Sequence, residues 1–210
     1  MRKGVVSPIS LVLIVAIVLA LIALAYVWGL PLIEKRVSMV NYGAAENFME
    51  RIDEAITNVV NKGGGKEEIS LPFGGLRAIP NATEDPDNNS IIFEFVMPQP
   101  LAIDRSTIYI GTTSFMDMDK EVGVYGQSKP GVLSLTTERY IEDYRYRMKL
   151  HYRELETVSA PEKGYIIALR SSKSSGSNSV IISFGQTEVL PGKAANGGDL
   201  TVTHIDVDVY

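Results

Sequence analysis

Residues 5–33 carry the sequence VVSPISLVLIVAIVLALIALAYVWGLPLI, which runs for 29 positions without Asp, Glu, Lys, Arg or His. A helix over residues 9–30 is about 33 Å long at 1.5 Å per residue, which matches the hydrocarbon thickness of a bilayer. Pro8 suits the first turn of that helix, and Tyr26 and Trp28 stand where aromatic side chains gather at a membrane interface. The stretch therefore predicts a transmembrane segment over about residues 9–30.

Charged residues are distributed unevenly around this segment. The 210-residue chain has 20 basic and 25 acidic residues; only Arg2 and Lys3 precede the apolar stretch, and every acidic residue follows it. The part from Glu34 onward therefore has a net charge of −7. This balance argues against nucleic-acid binding, which depends on neutralising phosphates, and the apolar stretch argues against a soluble cytoplasmic enzyme. The chain has no cysteine, so disulfides and thiolate metal sites are excluded.

Two simple interpretations of the apolar stretch stay open. Ala23-Leu24-Ala25 has the small residues of a secretory cleavage site, although the apolar run continues past it to Ile33. A signal anchor needs no processing at all. Its orientation is poorly determined, because two basic residues flank the segment on each side.

Residues 37–61 predict an amphipathic helix that follows a break at Pro31. Apolar side chains recur there at three- and four-residue steps, namely Val37, Val40, Ala44, Phe48, Ile52, Ala55, Ile56 and Val59. Charged residues fall mainly between them, so we expect one apolar stripe to pack against a sheet or another helix. The glycines at 63–65 then end the helix.

From residue 66 onward the apolar pattern changes to period two. It predicts an antiparallel β-rich domain over residues 66–210, built as a sandwich or a meander. The predicted strands are 69–79, 90–96, 107–113, 121–125, 132–136, 144–152, 165–170, 180–184 and 200–210. Two pairs of them predict hairpins, 121–125 with 132–136 and 165–170 with 180–184. A shift of alternation near His204 predicts a β-bulge.

The predicted strand 144–152 separates its side chains by type. One face has Tyr144, Tyr146, Met148, Leu150 and Tyr152, and the other has Arg145, Arg147, Lys149, His151 and Arg153. The basic face could bind an anionic surface through Arg145, Arg147, Lys149 and Arg153. Alternatively, its charges pair with acids on a neighbouring strand, such as Asp206 and Asp208. The net charge of the domain favours pairing.

Catalytic and metal-binding patterns are absent from the sequence. His151 and His204 both fall in strand alternation, and no nucleophile motif accompanies them. Alternating acids at 117, 119 and 121 are similar to the start of a calcium loop, but Val122 occupies the position that requires glycine. We therefore predict no enzymatic activity, no cofactor and no bound metal, and a turn leading into a strand at this position.

One polar loop contains two acceptor sequons for N-glycosylation. They are Asn81-Ala82-Thr83 and Asn88-Asn89-Ser90. Such triplets also arise by chance. If the domain is exported, the loop is accessible and glycans at Asn81 and Asn88 are expected.

A short basic leader precedes the apolar stretch, formed by Arg2, Lys3 and Gly4. A basic residue followed by glycine ahead of an unbroken apolar helix resembles the class III signal peptide of archaeal type IV pilins. The resemblance implies that residues 1–4 are a leader, which a prepilin peptidase removes by cutting between Gly4 and Val5. Residues 5–61 then remain on the mature chain as one long helix. Bacterial pilins usually carry glutamate at the fifth mature position, where this chain has Ile9.

The same resemblance implies a function. The helix first anchors the subunit in the membrane and later forms the packed core of a cell-surface filament, with the peptidase and other pilin subunits as partners. The chain is then a major or minor pilin, with an extracytoplasmic head that could be adhesive and glycosylated. The alternative is a single-pass, membrane-anchored β-domain that binds a ligand or partner and does not polymerise. A tethered hydrolase would require a pocket that gathers carboxylates or a histidine from distant strands.

Overall fold

The computed structural model describes residues 8–81, 85–100, 107–110, 122–176 and 178–210. It contains a long helix, α1 (Pro8–Lys62), followed by a β-rich head. The described strands are β1 (Lys66–Ser70), β2 (Gly75–Ile79), β3 (Ser90–Met97), β4 (Thr107–Ile110), β5 (Val122–Val124), β6 (Gly131–Tyr140), β7 (Asp143–Tyr152), β8 (Glu154–Glu156), β9 (Lys163–Arg170), β10 (Ser175–Gly176), β11 (Ser179–Leu190) and β12 (Asp199–Val209). The predicted fold class, a long N-terminal helix followed by a mostly antiparallel β domain, is confirmed.

Helix α1 continues through Pro31, so the predicted break at that residue is wrong. Proline removes one backbone hydrogen bond, and the long helical segments on both sides retain theirs. The helix ends at the predicted glycine run. Gly63 has a φ of +61° and donates its N–H to the carbonyl oxygen of Val60 at 3.0 Å. A left-handed glycine of this kind satisfies the last carbonyls of a helix.

The described strands form two six-stranded sheets, which matches the sandwich alternative of the prediction. The first sheet has the order β1-β11-β12-β9-β8-β5, and the second has β10-β2-β3-β7-β6-β4. Most neighbours are antiparallel, but β12 pairs with β9 and β5 pairs with β8 in parallel. Helix α1 contacts β1, β11 and β12 of the first sheet and β3 and β7 of the second. One hydrophobic core is therefore shared by the helix and both sheets.

Both predicted hairpins are wrong. Strand β5 pairs with β8 in the first sheet, whereas β6 lies between β4 and β7 in the second. Likewise, β12 separates β9 from β11. The turn residues between these segments are compatible with a hairpin, but burial against α1 and between the sheets determines the pairing.

The predicted strand 69–79 is two strands in different sheets. Strand β1 ends at Ser70 and β2 begins at Gly75, after a turn in which Gly74 has a φ of +70°. A Cβ at Gly74 would lie 2.5 Å from the carbonyl oxygen of Glu94. Only glycine fits this crossing between sheets, because it tolerates both the dihedral angle and the close approach.

The irregularity predicted near His204 is present. Phe184 pairs with Ile205 and Thr187 pairs with Thr203, so two residues of β11 face His204 alone. The extra residue therefore belongs to β11, the partner of the strand in which the shift appeared. Such a bulge bends the strand and changes which face is buried beyond it.

The apolar stripe predicted for α1 is confirmed in the head-covered part of the helix. Of the residues predicted for it, Phe48, Ile52, Ala55, Ile56 and Val59 are buried and Ala44 is half-buried, and Ala45 and Met49 are buried beside them. Val37 and Val40 were predicted for the same stripe but are 48% and 70% exposed. They point away from the side of the helix on which Ser38 is buried, so the face that is covered at this turn is not the one that the periodicity predicts.

Asn89 joins the two sheets at the centre of the head. Its side-chain amide donates to the carbonyl oxygens of Tyr152 and Ile167, each at 2.8 Å, and its side-chain oxygen accepts from the N–H of Leu169 at 2.9 Å. Tyr152 belongs to β7 in the second sheet, whereas the other two partners belong to β9 in the first. The side chain is 2% exposed and the residue has a φ of +54°. A single buried amide therefore connects the sheets across the sandwich.

Candidate functional site

The most extensive candidate surface is the N-terminal part of α1. It is the helix in the described chain that is long and apolar enough to cross a membrane, and its most apolar 18-residue window has a mean hydropathy of 3.0 with no residue buried. From Leu11 to Val40, large apolar side chains point outward all around the helix, with exposures between 39% for Leu30 and 74% for Trp28. We call residues 10–40 the bare segment. The structure thus agrees with the predicted membrane-spanning character of this region.

The bare segment has one charged interruption. Glu34, Lys35 and Arg36 follow the apolar stretch directly, and the Glu34 carboxylate accepts a hydrogen bond from the side-chain amide of Gln99 at 3.2 Å. Apolar exposure resumes immediately afterwards at Val37, Met39 and Val40. This extension was not predicted from the sequence, because the periodicity places Val37 and Val40 on the stripe that faces the head.

The C-terminal part of α1 is fixed to the head by polar as well as apolar contacts. The hydroxyl of Tyr152 is buried with its ring and donates to the carboxylate of Asp53 at 2.8 Å. Burial raises the pKa of Asp53 above its usual value, although the Tyr152 hydrogen bond and the charge of Lys129 oppose that rise. Tyr146 and Tyr152, two tyrosines on the apolar face of the predicted strand 144–152, are therefore core residues, and the Tyr146 hydroxyl donates to the carbonyl oxygen of Gln99 at 2.8 Å. Helix and head form one packed unit.

The basic face of β7 is largely neutralised within the head. Asp87 accepts a short hydrogen bond from Arg147 and a second from Lys149 at 3.1 Å. The Arg147 guanidinium also lies 3.6 Å from Glu94 on β3. Arg145 stacks over the ring of Tyr140, with 4.3 Å between guanidinium carbon and ring centroid. These contacts favour charge pairing over an anionic-surface site.

Two details of the predicted basic face are wrong. Arg153 is 5% exposed, so it does not belong to a surface stripe. The predicted acidic partners, Asp206 and Asp208, lie in the other sheet. Asp206 pairs with Arg170 at 2.9 Å, and Asp208 accepts hydrogen bonds from Ser172 and from the N–H of Lys173.

Asp87 makes the head sensitive to acid. Burial raises the pKa of Asp87, but the hydrogen bond from Lys149 and the charge of Arg147 outweigh burial, so that the pKa lies below the ordinary value of an aspartate side chain. A carboxyl group with a lowered pKa stabilises the fold while it is ionised, and this contribution is lost as the pH falls below 3.8 through the lowered value.

We expect Asp87→Asn to lower the free energy of unfolding by about 1 kcal/mol at pH 7, because its basic partners are about one-third exposed and partly screened. The difference between variant and original should shrink between pH 4 and pH 2. Urea unfolding of the full chain in detergent at several pH values measures it. Glu138→Gln, an exposed change on the same sheet, is the control. A difference that is independent of pH would contradict the assigned pairing.

The leader residues Arg2, Lys3, Gly4 and Val5 lie outside the described residues, as do the acids at 117, 119 and 121. Asn81 is half-buried and donates its backbone N–H to the carbonyl oxygen of Leu169 at 3.0 Å, while Thr83 of its sequon is again outside the described part.

The second sequon is packed into the fold. Asn88 has a buried side-chain oxygen, and both Asn89 and Ser90 are fully buried. An enzyme that reads these three residues needs an extended, accessible chain. The accessible loop expected for this sequon is therefore not found, because two of its three residues lie inside the fold.

Neither histidine has catalytic surroundings among the described residues. His151 Nδ1 lies 3.1 Å from the carbonyl oxygen of Asn88, and burial lowers the pKa of His151. His204 Nε2 lies 2.9 Å from the Glu188 carboxylate. In the described ranges, no group of three or more His, Asp or Glu side chains is placed to hold a metal ion.

An uncharged cleft opens between the end of α1 and the first sheet. Its described lining includes Val60 on the helix, Tyr125 and Tyr165, whose rings stack 4.4 Å apart, and Thr201 and Thr203 on β12. Every described side chain that lines the cleft is uncharged. Sequence reasoning did not identify it, because the lining comes from segments that are distant in the chain.

Comparisons with protein-family models, with curated proteins and with solved structures find no match for this chain.

Proposed function

We propose that this chain is the structural subunit of a type IV pilus-like filament on the cell surface, similar to archaeal pilins. The observation that carries the proposal is the division of one continuous helix. Its bare segment exposes large apolar side chains all around the helix as far as Ile33 and again at Val37, Met39 and Val40, whereas its C-terminal part is packed against both sheets. A subunit built in this way presents a ready-made packing surface to identical neighbours.

The apolar surface of the bare segment is large enough that another apolar surface has to shield it from water. Burying a large aliphatic side chain from water is worth about 1.5–3 kcal/mol, and the bare segment exposes such side chains along its whole length. Within a bilayer, lipid provides the cover. To leave the bilayer, the helix must exchange lipid for equally apolar surfaces, which other copies of the same helix offer. Membrane anchoring and filament assembly are then two uses of one surface.

Processing by a prepilin peptidase completes the proposal. Arg2, Lys3 and Gly4 form the recognition leader, and cleavage before Val5 leaves the apolar stretch on the mature chain. The head then lies outside the cytoplasm, held first by the membrane and later by the filament. Activity resides in assembly, and no residue of the head is assigned a catalytic role.

The second candidate function is a membrane-anchored ectodomain that binds a ligand and remains monomeric. The uncharged cleft lined by Tyr125, Tyr165, Thr201 and Thr203 favours this alternative, because aromatic and hydroxyl side chains together suit a neutral polar ligand. It accounts for the anchor. It gives no reason for apolar exposure beyond the charged residues at 34–36.

The mature N-terminus separates the two functions. We expect mass spectrometry of the chain purified from its own cells to give a first residue of Val5, and electron microscopy of the same material to show filaments. An intact chain starting at Met1 and recovered only as monomers in membranes would contradict the filament proposal. As a control, Gly4→Val should block cleavage and leave the chain in the membrane.

A further inference from the structure

The turn between β6 and β7 carries an unusual side chain. Tyr140 pairs with Asp143, so Ile141 and Glu142 form a two-residue turn, which we call the β6–β7 turn (residues 140–143). Ile141 has a φ of +59° and is 80% exposed. Two-residue hairpin turns place glycine, asparagine or aspartate at such angles, and a β-branched residue there is strained. The turn therefore holds an apolar side chain in water at a conformational cost.

The hydrogen bonds of β7 give the position of this turn along the helix. The Tyr146 hydroxyl donates to the carbonyl oxygen of Gln99 at 2.8 Å, and the Gln99 amide donates to Glu34. Six residues later, Tyr152 bonds Asp53. Strand β7 and α1 consequently run in the same direction, from the level of Glu34 to that of Asp53.

The β6–β7 turn extends beyond the level of Glu34. Ile141 precedes Tyr146 by five residues, which is up to about 16 Å along a strand, so the turn lies on the opposite side of Glu34 from Asp53. The turn is therefore directed toward the apolar stretch that ends at Ile33, the end at which Tyr26 and Trp28 were predicted to lie at the membrane interface. Tyr140, which is 44% exposed, stands beside Ile141.

We propose that the β6–β7 turn is a second membrane contact of the anchored subunit, with Ile141 and Tyr140 entering the interfacial layer of the lipid bilayer. The inference rests on the insertion of α1 that the proposed function includes. A helix in the bilayer holds the turn at the surface permanently, so even a weak contact is populated. The contact orients the head relative to the membrane before assembly.

The charges around the turn specify the kind of lipid surface. The neighbouring charged residues are Glu138, Arg139, Glu142, Asp143 and Arg145, with a net charge of −1. Arg145 already stacks over Tyr140. The contact therefore depends on apolar and aromatic insertion rather than on anionic headgroups, as for side chains in an interfacial belt.

Single cysteines test the proposal, because the chain has none of its own. The variants Ile141→Cys, Val158→Cys and Leu21→Cys of the full chain are labelled with a polarity-sensitive fluorophore and reconstituted into phosphatidylcholine vesicles. Some of the vesicles contain lipids brominated on the acyl chains, which quench nearby fluorophores. Leu21 reports whether α1 is inserted.

Val158 is a matched control for Ile141. It is β-branched, 81% exposed and lies in the connection between β8 and β9. That connection leads into β9, where Lys163 pairs with Asp199 of β12. Two residues further along β12, Thr201 lines the same cleft as Val60, which lies near the end of α1. The control therefore samples the part of the head that lies near the C-terminal end of α1 rather than near the bare segment.

We expect the label at Ile141 to shift to shorter emission wavelength and to be quenched about threefold more than the label at Val158. Quenching at Leu21 without quenching at Ile141 would overturn the second contact while leaving the anchor intact. Absence of quenching at Leu21 would overturn both and contradict the proposed function itself. A blue shift at Ile141 that grows with protein density and is insensitive to brominated lipid would identify another copy of the chain as the partner and would also overturn the proposal.

A second variant separates the effect of the Ile141 side chain on membrane contact from its effect on folding. Ile141→Gly suits a φ of +59° and should leave the thermal unfolding midpoint of the head unchanged or raised. In the same background, a label at Glu142→Cys should lose most of its quenching by brominated lipid. Unchanged quenching in the Ile141→Gly chain would contradict a role for Ile141.

Discussion

Ile22→Arg should abolish both stable membrane insertion and filament formation. Ile22 lies near the middle of the bare segment and is 60% exposed. An arginine at the centre of a membrane helix costs about 2.5–3.5 kcal/mol in insertion. In an assembled filament the same charge would be surrounded by neighbouring apolar helices without a partner, which leaves an uncompensated buried charge. Both states of the subunit are therefore destabilised by one substitution.

The matched control is Asn58→Arg, which introduces the same side chain at an exposed position on the same helix. Carbonate extraction of membranes measures insertion, and sedimentation of sheared cell-surface material measures filaments. We expect the control to behave as the original chain and Ile22→Arg to give no filaments. Normal filaments built from Ile22→Arg subunits would show that the bare segment is not the packing surface.

Asn89→Ala should be the most destabilising single substitution in the head. It removes three hydrogen bonds that join the sheets and leaves two buried carbonyl oxygens and a buried N–H without partners. Each unsatisfied buried group costs about 1–3 kcal/mol, with incomplete additivity. Alanine also tolerates a φ of +54° less well than asparagine. Together these effects predict a loss of about 4 kcal/mol in the free energy of unfolding.

Asn88→Ala is the control for this substitution. It changes the neighbouring asparagine, whose side-chain oxygen is buried without a hydrogen bond, and we expect a change below about 0.5 kcal/mol. Denaturant unfolding of the full chain in detergent measures the effects of both substitutions. The transition is monitored by the near-ultraviolet circular dichroism of the buried tyrosines. Equal effects of the two substitutions would refute the connecting role of Asn89.

The sequence predicts the elements better than it predicts their pairing. Unbroken apolar residues and three- and four-residue periodicity predict α1 and its end, and strict alternation predicts β7 with its buried tyrosines. Those signals are local. Strand pairing depends on which apolar faces meet in the shared core, so segments joined by good turn residues were wrongly predicted to form hairpins.

The features of the candidate site also fall into those that the sequence predicts and those that it does not. The apolar character of residues 9–30 is readable directly, because it depends on composition alone. The exposure of Val37 and Val40 could not be predicted in this way. Periodicity identifies an apolar face of the helix, but it cannot show which part of that face the head covers. Asp87 was not predicted as the partner of Arg147 and Lys149, because it reaches them from a loop before β3. Asn89 looked like part of a surface sequon.

We propose that the bare segment of α1 packs against the same segment of other subunits in the filament. Photo-cross-linking from Leu24, which is 58% exposed on that segment, tests it most directly. A photoreactive amino acid replaces Leu24 in the full chain, isolated surface material is irradiated, and the products are mapped by mass spectrometry. We expect covalent dimers and higher multimers joined within residues 10–40. Adducts to lipid alone, with every chain remaining a monomer, would contradict it.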